Sequence, residues 1–144
     1  GAEASRRGDT DARYQGRISG PLLDRIDLRI EVPAVQPQSL AGAPDGEPSR
    51  SIAARVAKAR SIALTRQACP NSALAGKMLD EHCALAPAAA NFLQNAARRM
   101  GWSARGFHRV LRTARSVADL AASEAITSEH LAEAIQYRRI PAST

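Results

Sequence analysis

The chain has 144 residues, enough for one domain and too few for two well-buried cores. Its hydrophobic content is 44%, much of it alanine, with only 3% aromatic, which argues against a sandwich or barrel and for closely packed helices. The formal net charge of +6 favours phosphates, nucleic acid or acidic partners without choosing among them, and no apolar run reaches the ~20 residues that span a bilayer. No signal-peptide pattern opens the chain, so a cytoplasmic location with no membrane partner is expected.

Residues 1–13 are small and polar and are expected to be a disordered lead-in. Tyr14 to Leu23 reads as a connector, with Gly16, Gly20 and Pro21 as turn elements. From Ile26 to Val32 the sequence alternates: Ile26, Leu28, Ile30 and Val32 on one side, Asp27, Arg29 and Glu31 on the other. That period of two predicts a half-buried strand, which Pro33 stops. No second strand follows, so the strand is expected to complete a sheet whose other strands lie elsewhere, and the chain to be the tail of a larger protein. Residues 34–48 hold Pro37, Gly42, Pro44, Gly46 and Pro48 and read as a linker.

Everything after residue 48 has helical periodicity. A first long helix is predicted over roughly 50–67, capped by Ser49, with Ile52, Val56, Ala59, Ile62 and Ala63 as its apolar stripe. A short helix follows near 77–83. Pro87 opens a third, with Ala88, Phe92, Leu93 and Ala96 facing inward and Gly101 ending it near Met100. Ser103 caps a fourth over about 104–123, and Thr127 caps a fifth that ends near Arg138. The fold class is all-α: a bundle of four to five helices preceded by an extended segment with one orphan strand. The domain reading is 1–13 lead-in, 14–33 final segment of a preceding core, 34–48 linker, 49–140 helical domain and 141–144 tail.

The fourth helix, SARGFHRVLRTARSVADLAA, carries the sharpest pattern. Phe107, Val110, Leu111, Ala114, Val117, Ala118 and Ala121 share one face, while Arg105, Arg109 and Arg112 share the opposite one, with Arg115 at its margin. From residue 98 to 115 there are six arginines and no Asp or Glu. A solvated polar face is the ordinary explanation of a basic helix. All of these charges are arginine, however, and Arg105 falls in a first turn, where backbone N–H groups already favour anions. Two cysteines, Cys69 and Cys83, lack CxxC spacing and read as reduced thiols. Adjacent His82 and Cys83 are poor partners for Cys69 in a metal site, so no metal is expected.

SGPLLDRIDLRIEVP, then SARGFHRVLRTARSVADL and HLAEAIQYR, in this order over residues 14–140, resemble the C-terminal part of the magnesium-chelatase-like AAA+ ATPases, in their competence protein M branch. The resemblance implies that Arg25 is an arginine finger acting in trans on a neighbouring subunit's nucleotide. It implies that the helical remainder is an AAA+ lid in which Arg105 is the sensor 2 arginine, with Arg109 the runner-up; Arg112 and Arg115 are expected to make structural or inter-subunit pairs. Arg25 could otherwise form an ion pair with Asp24 or Asp27. The whole protein is implied to use ATP and magnesium, to form a hexameric ring with itself, and to act on DNA. Branch migration during natural transformation is the implied setting. No G-x-x-x-x-G-K-[ST] and no Walker B strand occur in these residues, so no cofactor and no hydrolysis are expected of the fragment itself. Two alternatives remain open: the ATPase subunit of a magnesium chelatase serving porphyrin metallation, and a basic helical DNA-binding module without a motor role.

Overall fold

The computed structural model describes residues 13, 14, 16–42 and 46–138. The lead-in expected at 1–13, apart from Arg13, and the tail at 141–144 lie outside the described residues. Among the described residues α-helices follow one another as α1 (Gly20–Arg25), α2 (Ser49–Gln67), α3 (Gly76–His82), α4 (Pro87–Met100), α5 (Ala104–Leu120) and α6 (Ser128–Gln136). Short 3-10 turns at Pro37–Ala41 and Asn71–Ala73 punctuate them. No strand occurs among the described residues, and the fold is all-helical. No described helix is long and apolar enough to cross a membrane.

The boundaries follow from end chemistry. Pro87 supplies a first-turn residue with no N–H to satisfy, and Gly101 closes α4 in the left-handed region at φ 64°. The Ser103 hydroxyl accepts from the Gly106 amide at 3.2 Å. Thr127 and His130 exchange side-chain and backbone bonds in a capping box at the start of α6. Helix α2 begins one residue before the predicted start, with Pro48 rather than Ser49 in the cap position.

α5 is the centre of the bundle. It packs against α6, against α2 and against the Asn71–Ala73 turn, and α6 in turn covers α4. Val110, Leu111, Ala114 and Ala118 bury the predicted stripe of α5 and meet Leu131, Ala134 and Ile135 of α6, Leu93 of α4, and Leu74 and Leu79 in one core. Small alanines at the α5 contact let the helices approach closely, which explains how so few aromatics suffice.

Three expectations need correction. The GPLLDR stretch is helix α1, not a turn: Ser19 caps it through the Leu22 amide at 3.3 Å and Pro21 fits its first turn. The strand expected over Ile26–Val32 forms no ladder among the described residues, as an orphan strand would not; Ile26 is extended, and the Arg29 amide donates to Tyr137 O at 2.7 Å. In α4 the buried residues are Ala89 and Leu93, while Ala88 is exposed and Phe92 stays 39% exposed, so the inward face is turned from the predicted one. Of the α2 stripe only Ala63 is buried. Ile52 and Val56 are exposed because the bundle covers only the C-terminal half of this helix.

Candidate functional site

The arginine face of α5 divides into one open and three engaged side chains. Arg105, in the first turn, is exposed and makes no ion pair or hydrogen bond among the described residues. Its helix end carries no acidic residue, so the positive end of the backbone dipole and the guanidinium point to the same kind of ligand, an anion. Arg109, one turn later, is half-buried and donates through Nη1 to Asp27 Oδ1 at 2.7 Å. Arg112 donates to the Leu74 carbonyl at 3.1 Å and ties the loop before α3 to α5. Arg115 is buried and donates to the carbonyls of Ser123 and Glu124 at 2.8 and 2.9 Å, closing the turn after α5.

Arg25 ends α1. It is exposed and, among the described residues, has no ion pair or hydrogen bond. The two carboxylates that flank it in sequence serve other partners: Asp27 takes Arg109, and Asp24 lies 3.6 Å from Arg138 Nη2. The local ion pair that could have absorbed Arg25 is therefore not formed. The same two contacts bring α1 and the segment after it onto the helical bundle.

Sequence reasoning missed two residues at this joint. Arg29 was assigned to a solvent face by alternation, yet it is half-buried and donates from Nη2 to Leu23 O at 3.1 Å. Arg138 ends the HLAEAIQYR stretch, and its side chain is only 9% exposed. Its guanidinium lies over Gly106 so closely that a Cβ there would sit 3.0 Å from Nη2. Burial pulls Arg138 below its usual range; Asp24 opposes this and the charges of Arg109 and Arg29 add to it. A glycine in the third position of α5 was the one signal in the sequence that something packs there.

A second ionic cluster locks α2 to α5. Asp119 accepts from Arg66 at 2.7 and 3.0 Å and from Asn71 Nδ2 at 2.8 Å, with Arg115 Nη2 3.2 Å away. Asn71 Oδ1 accepts from Gln67 at 2.8 Å and from Arg66 at 3.0 Å. Burial raises the Asp119 carboxyl, but the hydrogen bonds from Arg66 and Asn71 and the charges of Arg115 and Arg66 outweigh it and hold it below the usual carboxylate range. Burial also lowers Arg115, against the pull of Asp119. Every oxygen of Asp119 is used, so this cluster is a strut rather than a ligand site. Cys83 sits in the core beside it, and burial pushes its thiol up to about 11. Among the described residues no group of three His, Cys, Asp or Glu is placed to hold a metal ion.

Residues 46–138 match the family described as magnesium chelatase, subunit ChlI C-terminal, and residues 2–40 match magnesium chelatase, subunit ChlI. The two matches meet in the Pro/Gly-rich stretch between α1 and α2. The chain is 42% identical over 127 residues to competence protein ComM of Haemophilus influenzae, covering 88% of this chain and 25% of that protein. It is 37% identical over 129 residues to the uncharacterized protein YifB of Salmonella typhimurium, covering 89% of this chain and 26% of that one. With the uncharacterized protein Rv2897c of Mycobacterium tuberculosis the identity is 36% over 134 residues, covering 90% and 26%. The chain thus spans about a quarter of the length of the curated relatives it matches. The C-terminal match alone takes in well over half of the chain and all of α2 to α6, so this chain belongs to the magnesium chelatase ChlI C-terminal family.

Proposed function

We propose that this chain is the C-terminal lid, with the last segment of the core before it, of an ATP-driven AAA+ ring motor that acts on DNA. Arg25 serves as an arginine finger toward a neighbouring subunit's nucleotide, and Arg105 serves as the sensor 2 arginine. One observation carries the reading: among the described residues Arg25 and Arg105 have no hydrogen-bond or ion-pair partner, while Arg29, Arg109, Arg112 and Arg115 are engaged. A guanidinium that stabilises charge on a transferring phosphoryl group must be free to meet it. Arg109, the runner-up, is a weaker candidate because Asp27 already occupies it.

Further support comes from the segment after α1. Ile30 and Val32 are 70% and 82% exposed, and Ile26 and Leu28 are exposed with them. An uncovered apolar row is what a strand presents when its sheet is supplied by the rest of the protein. ATP and magnesium would be held by that remainder, since these residues contain no phosphate-cradling glycine loop, and the bound nucleotide supplies the phosphoryl group. Within this chain, α1 and the joint set where Arg25 stands, and the cap of α5 sets where Arg105 stands.

In the whole protein, Arg25→Ala and Arg105→Ala should each lower DNA-stimulated ATP hydrolysis, the finger variant by about 10³-fold, with the melting temperature unchanged. Full hydrolysis by both variants would sink the assignment. A second reading is favoured by the family match itself: the motor could serve metal insertion into a porphyrin. Porphyrin metallation dependent on the whole protein, with no response of hydrolysis to DNA, would select it.

A further inference from the structure

Arg29, Arg109 and Arg138 come from three separate parts of the chain: the segment after α1, the second turn of α5 and the end of α6. They meet at one joint: the Arg29 amide donates to Tyr137 O beside Arg138, Arg138 lies over Gly106 one turn before Arg109, and the three guanidiniums contact Leu23, Asp27 and Asp24 of one short segment. Each retains a buried donor with no acceptor among the described residues: Nε of Arg29, Nε of Arg109 and Nη1 of Arg138. The Arg138 side chain is more than nine-tenths buried and lies on the first turn of α5, where the helix dipole is itself positive. Against this, among the described residues, stand Asp27, on Arg109 Nη1, and Asp24, at 3.6 Å from Arg138 Nη2. Both carboxylates are more than half exposed, at 58% and 63%. Burying charged N–H groups without acceptors is unfavourable, and placing three beside one another at a helix start compounds it.

We propose that Arg29, Arg109 and Arg138 form an oxyanion site at this joint, and that its ligand is a phosphate-class group. A tetrahedral oxyanion offers enough acceptors for all three open donors at once, and the planar guanidinium fork matches it. A bound anion would also fasten the segment after α1 to α5 and α6. The site does not include Arg25 or Arg105, and its test involves no hydrolysis, so it stands or falls apart from the proposed motor role.

The probe is inorganic phosphate, titrated into the 144-residue chain at constant ionic strength with chloride as the control. The readout is the arginine Nε–Hε resonances. Saturable shifts are expected at Arg29 and Arg109, with affinity about tenfold weaker in Arg138→Lys, which keeps the charge and loses the fork. If that variant does not fold, Arg29→Gln replaces it with the same expectation. Parallel titrations with ATP and with a short oligothymidylate distinguish the sources. Tighter binding of ATP points to a terminal phosphate and tighter binding of the oligonucleotide to a backbone phosphodiester; either upholds the site. No saturable shift with any of the three, or shifts unaltered in Arg29→Gln, would overturn it.

Discussion

Arg109 reaches across 82 residues of sequence to hold Asp27, with Nη1 2.7 Å from Oδ1. The contact joins the segment that carries Arg25 to the helix that carries Arg105. Because Asp27 is 58% exposed, the bond is screened by water and its worth to stability is small, under about 1 kcal/mol. Its effect should be on position. Asp27→Asn is expected to leave the melting temperature nearly unchanged and to increase cleavage between residues 26 and 36 in limited proteolysis. An unchanged digestion pattern would show that the Arg29 amide bond to Tyr137 and the Asp24–Arg138 contact suffice to hold the segment.

The Asp119 cluster should behave in the opposite way. It is buried, and removing its only carboxylate strands Arg66 and Arg115 beside each other. Asp119→Asn should cost about 3 kcal/mol in urea denaturation. The pH dependence follows from the direction of the shift. The folded carboxyl is held below its unfolded value of about 3.9, so the folded state favours the charged form. The contribution is therefore fully present above about pH 4 and is lost as the pH falls below that through the depressed folded value. The stability gap between the parent and Asp119→Asn should be constant from pH 7 to pH 5 and close in more acid solution. A gap independent of pH would contradict the cluster as described.

Cys83 should be chemically silent in the folded chain. Only the thiolate reacts with alkylating agents, and burial both raises the thiol to about 11 and hides the sulfur. At pH 8, iodoacetamide should label the half-buried Cys69 first, with Cys83 labelled only at the rate of unfolding. Mass spectrometry of a time course would show this order, and equal labelling of the two would refute it.

Two helix ends allow a paired test of backbone strain. Gly101 ends α4 at φ 64° and Ala68 ends α2 at φ 58°, so one left-handed position holds the favoured residue and the other does not. Gly101→Ala should destabilise by about 1 kcal/mol, and Ala68→Gly should stabilise by a somewhat smaller amount. The two melting temperatures should move in opposite directions.

The helical architecture was legible because its punctuation is local. Gly101, Ser103 and Thr127 each mark an end through bonds to residues within four positions, and Pro87 marks one by needing no bond. Helix α1 had the same signals in Ser19 and Pro21 but was hidden by its length of 6 residues, too short to show a period. The rotation of α4 was only partly legible because alanine dominates both its faces: Leu93 and Ala96 pack inward as predicted, while Ala88 and Phe92 do not. On α5 the apolar face was plain, while the fates of its arginines were not. Whether a guanidinium is open or engaged depends on Asp27, Leu74 and Ser123, and only the last of these is close in sequence. Asp119 was unmarked for the same reason: Arg66 and Asn71 approach from 53 and 48 residues away.

The geometry of α2 has a mechanical consequence. Its C-terminal turn is fixed through Arg66, Gln67 and Asp119, while residues 49–58 are exposed throughout. Those 10 residues make a stiff arm of about 15 Å beyond the point of attachment. A tilt of about 10° at the fixed end would carry Ser49, and the chain leading back to α1, through roughly 2.5 Å. A side-chain adjustment of a fraction of that size around Asp119 is thus geared up at the far end into a displacement as large as the spacing between hydrogen-bonded atoms.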